Sequence, residues 1–143
     1  MVLPDVNVLI YAFRVESPFY ERCSTWLRET IDSETSFGLS ALALSGLVRI
    51  TTNRRLFPNP STHEEAFGCC EDLMSQPNCQ LLEPGRRHWG IFRRLCEDSG
   101  TTGPRVSDAW FAALTIEHGC EWITFDRAFA RFPGLKWRAP TAD

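Results

Sequence analysis

Lysine is almost missing from this chain. Of its 15 basic side chains only Lys136 is lysine; the other 14 are arginine. Arginine forks match phosphate oxygens in pairs, although the base composition of a gene produces the same bias. Long apolar runs are absent too: none approaches the roughly 18 to 20 residues that span a bilayer. The first residues carry no basic leader and meet an acid at Asp5, so no secretory signal is expected and a cytoplasmic protein is the default. The six cysteines include no C-x-x-C pair, which speaks against a structural zinc site. They fall in apolar or helical contexts, where a free thiol packs as a small hydrophobe. His63, His88 and His118 show no metal-ligand spacing, and His118 near a helix C-terminus has a sufficient dipole explanation. A formal net charge of −3 excludes a wholly basic nucleic-acid binder.

What is present fits one domain over residues 1–143, with 43% hydrophobic and 23% charged residues. The pattern predicts strands at Val2–Leu3, Phe37–Ser40, Cys79–Leu82 and Glu121–Phe125, with a short edge strand at Lys136–Trp137. Helices are expected over Val6–Phe13, Phe19–Asp32, Ala41–Thr52, a segment opened by Ser61 or Thr62 and running to Ser75, Gly85–Asp98, Pro104–His118 and Asp126–Phe132. Trp89, Phe92 and Leu95 are read as one packing stripe. Short strands alternating with helices imply a three-layer α/β/α fold around a mainly parallel sheet of four to five strands.

In such a sheet ligands sit at the carboxyl ends of the strands. Asp5 ends the first strand, Asp126 follows Glu121–Phe125, and Asp108 lies in the first turns of the preceding helix. Each has an ordinary local role. Asp5 and Asp126 can cap the helices that follow them, and Asp108 gains from a helix dipole, with Ser107 an alternative cap. Three carboxylates converging on one edge repel one another, however, and a hard cation such as Mg²⁺ or Mn²⁺ relieves that repulsion through oxygen ligands. Asn7 can orient Asp5, and Thr124 points to the same side as Asp126. An acidic divalent-metal site suits phosphodiester hydrolysis: the ion lowers the pKa of water and neutralises charge on the phosphate.

The stretches LPDVNVLIYAF, VSDAWFAALTIEHG and ITFDRAFARFPGL resemble the PIN-domain ribonucleases, and among them the VapC-type toxins of bacterial toxin–antitoxin pairs. The resemblance runs from Val2 to Trp137. It implies an α/β/α PIN-like domain, Mg²⁺- or Mn²⁺-dependent cleavage of RNA (often tRNA or ribosomal RNA), a cognate VapB-type antitoxin and a homodimer. By position Asp5, Asp108 and Asp126 match the family's acids, with Asn7 and Thr124 in support. One element departs. Where the family usually carries a glutamate after the second strand, this chain has ALALSGLVRI with Gly46 in the slot, and no acid stands between Glu34 and Glu64. A three-acid site holding one ion is the expectation, with Ser45 orienting water at the vacated position. Glu117 lies on the opposite helix face from Asp108 and is expected to pair at the surface.

Candidates for gripping RNA near this edge are Arg14, Arg49, Arg105 and Arg127, with Arg54 and Arg55 reaching out from a Pro-rich loop. The helices around Ala41–Ile50 and Trp110–Ile116 are the candidate dimer face. Two rival readings stand beside the nuclease. One is a degenerate PIN module that binds RNA or antitoxin without cutting. The other is a haloacid-dehalogenase-like phosphatase, which needs a second acid where Asn7 stands and a lysine other than the distant Lys136.

Overall fold

The computed structural model describes residues 1–141. Five strands, β1 (Val2–Pro4), β2 (Phe37–Ser40), β3 (Cys79–Leu82), β4 (Glu121–Ile123) and β5 (Trp137–Arg138), form one sheet in the order β3-β2-β1-β4-β5. Every pairing is parallel. Six α-helices cover it: α1 (Val6–Phe13), α2 (Tyr20–Asp32), α3 (Ala41–Thr51), α4 (His63–Met74), α5 (His88–Ser99) and α6 (Val106–Glu117).

Side chains alternate across β1 and β4, and this divides the core. Leu3 and Trp122 pack with α5 and α6, whereas Val2 and Ile123 face clusters built with α1 to α4. The expected three layers are therefore present. Chain order also sets where a crevice opens. From β1 the chain moves to β2 and β3 on one side, then crosses to β4 and β5 on the other, which makes the β1–β4 boundary the switch point. Pro4 adds to the asymmetry. The Asp5 N–H donates to the Ile123 carbonyl at 2.8 Å, so backbone groups of that parity serve β4. Pro4 has the opposite parity and no N–H to offer β2, and the β1–β2 register is limited to Val2 with Phe37.

Some helix ends follow their local chemistry. Thr62 caps α4 in a reciprocal box with Glu65, which decides between the two candidate caps. Gly100 closes α5 with φ +65°. Six expectations are displaced. β4 is two residues shorter than the apolar run, and β5 sits one residue later. The Asp126 segment is a 3-10 turn, Arg127–Arg131, and another such turn, Gly103–Arg105, precedes α6. α5 starts three residues late, and its buried stripe is His88, Ile91 and Leu95, leaving Trp89 71% exposed.

The late start of α5 has a long-range cause. The Glu117 side chain reaches across from the end of α6 and accepts N–H bonds from Gly85 at 2.7 Å and Arg87 at 2.9 Å. Glu117 thus serves as the N-terminal cap that the α5 sequence does not supply, and its side chain is only 7% exposed. This corrects the expectation of a surface ion pair. α6 also offers little to a second copy. Ala109, Ala112, Ala113, Leu114 and Thr115 are buried, and Trp110, Phe111 and Ile116 pack against the same core. On α3, by contrast, Leu42 stands exposed. Among the described residues no helix is long and apolar enough to cross a membrane.

Burial alone would raise the Glu117 pKa, but backbone N–H groups of Gly85, Arg87 and His88 outweigh it and hold the carboxyl below the usual range. A depressed folded pKa contributes stability above the unfolded value, and that stability is lost as pH falls through the folded value. Glu117→Ala is expected to lower stability by about 1–2 kcal/mol near neutral pH. It should also flatten part of the acid limb of the native stability profile. Urea unfolding from pH 7 to pH 3 checks both; an unchanged midpoint at pH 7 would remove the capping role.

Candidate active site

Asp5 is the innermost acid, 7% exposed at the end of β1. Its two oxygens have different partners. Its Oδ1 accepts the Val6 N–H at 2.7 Å and caps α1. Its Oδ2 accepts the Thr124 hydroxyl at 2.7 Å, across the switch point between β1 and β4. Asn7 Nδ2 lies 3.4 Å from both Asp5 Oδ2 and Thr124 Oγ1 and so supports the pair from the first turn of α1. Asn7 Oδ1 is buried with no protein partner among the described residues.

Thr124 is fully buried and works in both directions. Its Oγ1 also accepts the Asp126 N–H at 3.0 Å, which fixes where Asp126 leaves the sheet. Asp126 Oδ1 then caps the following 3-10 turn through Ala128 N–H at 2.9 Å. Its Oδ2 faces Arg105, whose Nη1 stands 2.8 Å away and donates equally to Asp108 Oδ2 at 3.0 Å. The fold thus gathers Asp5, Asn7, Thr124, Asp108 and Asp126 at one sheet edge. The carboxylates sense one another: Asp108 and Asp126 both add to the upward pressure on the Asp5 pKa.

The donor set suits a hard divalent cation: carboxylate oxygens from three elements, and an orphaned amide oxygen on Asn7. The side chains are not closed around a point, however. Among the described residues no three acidic, histidine or cysteine groups stand as a ready metal cluster. Asp5 is turned to its cap and to Thr124, while Arg105 holds the other two acids.

The remaining candidates separate. Ser45 is exposed on α3 and makes no hydrogen bond among the described residues, so the geometry does not aim it at the acids. It shares a cleft of about 190 Å³ with Val6, Gly46, Arg49 and Ser107, beside the acid edge. A Cβ on Gly46 would meet Val6 Cγ2 at 3.2 Å and the Arg49 guanidinium at 4.0 Å. Arg127, next to Asp126, is exposed, as are Arg54 and Arg55. Arg14 is elsewhere. It follows the far end of α1 from Asp5, donates to Ser61 Oγ at 2.8 Å and to the Asn59 carbonyl, and lies over the Phe57 ring. It fastens the loop between α3 and α4, which corrects its assignment to the RNA edge.

Two site features escaped sequence reasoning. Ser40 ends β2, level with Asp5 by the Val2–Phe37 register, and parity turns both to the same face of the sheet. Its hydroxyl is buried with no protein partner among the described residues. The only sequence signal was a hydroxyl at a strand's end. The second is Arg105 as a partner of two acids rather than a free surface cation.

With this geometry in hand, comparison with known proteins gives a consistent result. The PIN domain family profile matches residues 2–135. The chain is 36% identical over 140 residues to VapC ribonuclease Mb2897 of Mycobacterium bovis, covering 98% of this chain and 95% of that protein. It is 34% identical over 140 residues to ribonuclease VapC25 of Mycobacterium tuberculosis, covering 98% and 99%. Among solved structures, VapBC2 from Rickettsia felis, bound to a promoter DNA fragment, aligns with a TM-score of 0.70 at 15% identity over 97% of this chain and 98% of that one. VapBC-1 from nontypeable Haemophilus influenzae aligns at 0.67 and 16% identity, covering 97% and 98%. At those identities the structures show the shared fold.

Burial, against the hydrogen bonds of Thr124 and Val6 and with repulsion from Asp108 and Asp126, pushes the Asp5 pKa from 3.8 to about 6. Between those values the folded chain binds more protons than the unfolded chain, so stability falls as pH rises through the window. The loss is at most about 3 kcal/mol. In chelator, Asp5→Asn is expected to remove that loss and to unfold at higher denaturant than the native chain above pH 6. Urea midpoints at pH 4, 5, 6 and 7.5 measure it; a native midpoint that does not fall across the window contradicts the buried-charge account.

Proposed function

Since the chain belongs to the PIN-domain family, in its VapC ribonuclease branch, we propose that it is the toxin of a toxin–antitoxin pair and hydrolyses RNA phosphodiester bonds with Mg²⁺ or Mn²⁺. The observation that carries this reading is the linked set Asp5–Thr124–Asp126–Arg105–Asp108 at the switch point of a parallel sheet. Asp5, Asp108 and Asp126 would hold the ion. When bound, it supplies a more acidic water and positive charge for the phosphate.

The chain's own residues do the rest. Asn7 and Thr124 keep Asp5 Oδ2 in place, and Thr124 ties the position of Asp126 to that of Asp5. The carboxylates can accept the proton that the attacking water gives up as the new P–O bond forms; the P–O bond to the neighbouring nucleotide breaks, and its leaving oxygen takes a proton from solvent water. Arg49 and Arg127 flank the edge with exposed guanidinium groups suited to backbone phosphates, and Arg54 and Arg55 extend the basic surface. The substrate class proposed is structured RNA such as tRNA or ribosomal RNA. The partners proposed are a VapB-type antitoxin and a second copy of the chain. Residues 1–143 act as one domain on this reading.

The test is cleavage of several RNAs by antitoxin-free protein with Mg²⁺ or Mn²⁺, beside Asp5→Ala and Asp108→Ala. Each variant is expected to lose about 100-fold or more in rate, and chelator should stop the native chain. A native chain no faster than its alanine variants would leave the degenerate binding module as the function. Gly46→Glu provides a further test. The new side chain meets Val6 at its Cβ and Arg49 within 4.0 Å of that atom. The carboxylate is therefore expected to pair with Arg49 and leave the cleavage rate no higher than native. A large gain in rate, with a second metal equivalent bound, would show that the acid count limits this site.

A further inference from the structure

Arg105 occupies an unusual position for a surface arginine. It ends the 3-10 turn Gly103–Arg105, one turn before Asp108, and its side chain is 47% exposed. A single nitrogen, Nη1, touches carboxylate oxygens from two different elements: Asp108 Oδ2 at 3.0 Å and Asp126 Oδ2 at 2.8 Å. Its Nε and Nη2 make no hydrogen bond among the described residues. The guanidinium charge offsets repulsion between the two acids. It also stands between them, where any other cation bridging them would have to go. The same contact explains why the acids, although assembled at one edge, do not form a ready cluster.

We propose that Arg105 is the resident cation of the metal-free site, and that a divalent ion reaches Asp108 and Asp126 by displacing it. The inference rests on the reading of these acids as metal ligands. Displacement is easy on structural grounds. The ion pairs are partly open to solvent, where such pairs are weak and screened by salt. The freed side chain has water beside it. Arg105 therefore sets a threshold: it stabilises the acids at low metal concentration and competes with the ion as that concentration rises.

Mn²⁺ titration by calorimetry, without RNA, tests this on the full chain. The variants are Arg105→Gln, Arg127→Gln, Asp108→Asn and Asp126→Asn. Arg127→Gln removes the same charge beside Asp126 without removing a bridge. Arg105→Gln is expected to bind Mn²⁺ about tenfold more tightly than the native chain, and Arg127→Gln to change affinity by less than about twofold. In chelator, Arg105→Gln should melt below the native chain, and Mn²⁺ should raise its melting temperature by more than it raises the native one. Equal tightening by the two arginine variants would reduce Arg105 to general electrostatics and overturn the proposal. So would unchanged affinity in Arg105→Gln while both asparagine variants lose binding, an outcome that leaves the acid site standing. Undiminished Mn²⁺ binding in both asparagine variants would overturn the ligand reading itself.

Discussion

The hydrogen bond from the Thr124 hydroxyl to Asp5 Oδ2, 2.7 Å long and buried, is the contact on which the rest of the site depends. It joins two strand ends 119 residues apart in the chain. A carboxylate buried as deeply as Asp5 is costly unless its oxygens are satisfied. Here the α1 backbone satisfies one oxygen and Thr124 the other. Thr124 then uses the same oxygen to receive the Asp126 N–H, so a single hydroxyl locates two acids. Removing it would leave Asp5 buried with one oxygen under-satisfied and Asp126 without its anchor.

Sheet topology makes that contact possible. The crossover after β3 places β4 directly beside β1, and the parallel register puts Pro4 level with Ile123. One residue further along each strand come Asp5 and Thr124, on the same face. Pro4 contributes by weakening the opposite side: with no N–H for β2, the edge next to Ser40 lacks the backbone ladder that continues toward β4. The result is a polar sheet edge that carries the carboxylates, where Ser40 and Asn7 each keep a buried oxygen without a protein partner among the described residues.

Much of this was legible in the sequence because it is local. Asp5 before Val6, Asp126 before Arg127 and Thr62 before the α4 acids are caps whose partners lie within three residues. The parallel three-layer plan followed from strand–helix alternation for the same reason. What was misread depends on distant partners. Glu117 looked like a surface acid on its own helix, yet its ligands are backbone groups 30 and 32 residues away. Two of the three α5 stripe positions were placed one residue off, and Leu95 was placed correctly. Trp89 carries the stronger hydrophobic signal, whereas burial selected His88, whose Nε2 meets the Trp110 carbonyl at 3.0 Å. Arg14 sits close to Asp5 in sequence, but eight helical residues separate them by about 12 Å, a distance that proximity along the chain conceals. Ser40 required the strand register, and no local pattern carries a register.

Charge balance ties the departure at Gly46 to the arginines around it. Three carboxylates facing the single bridging guanidinium of Arg105 leave the metal-free site short of positive charge. Asp5 holds its proton up to about pH 6, chiefly because it is buried, with repulsion from Asp108 and Asp126 adding to the shift. A fourth acid at position 46 would deepen the deficit and call for a second cation, but the cleft there already has one: the Arg49 guanidinium stands 4.0 Å from where a Cβ would be. Glycine also leaves Val6 undisturbed at the first turn of α1, the turn that Asp5 caps. In this molecule the positive charge on that flank comes from the chain rather than from solution. On the proposed reading a single divalent ion suits this edge, because Arg49 already stands where a second ion would be needed.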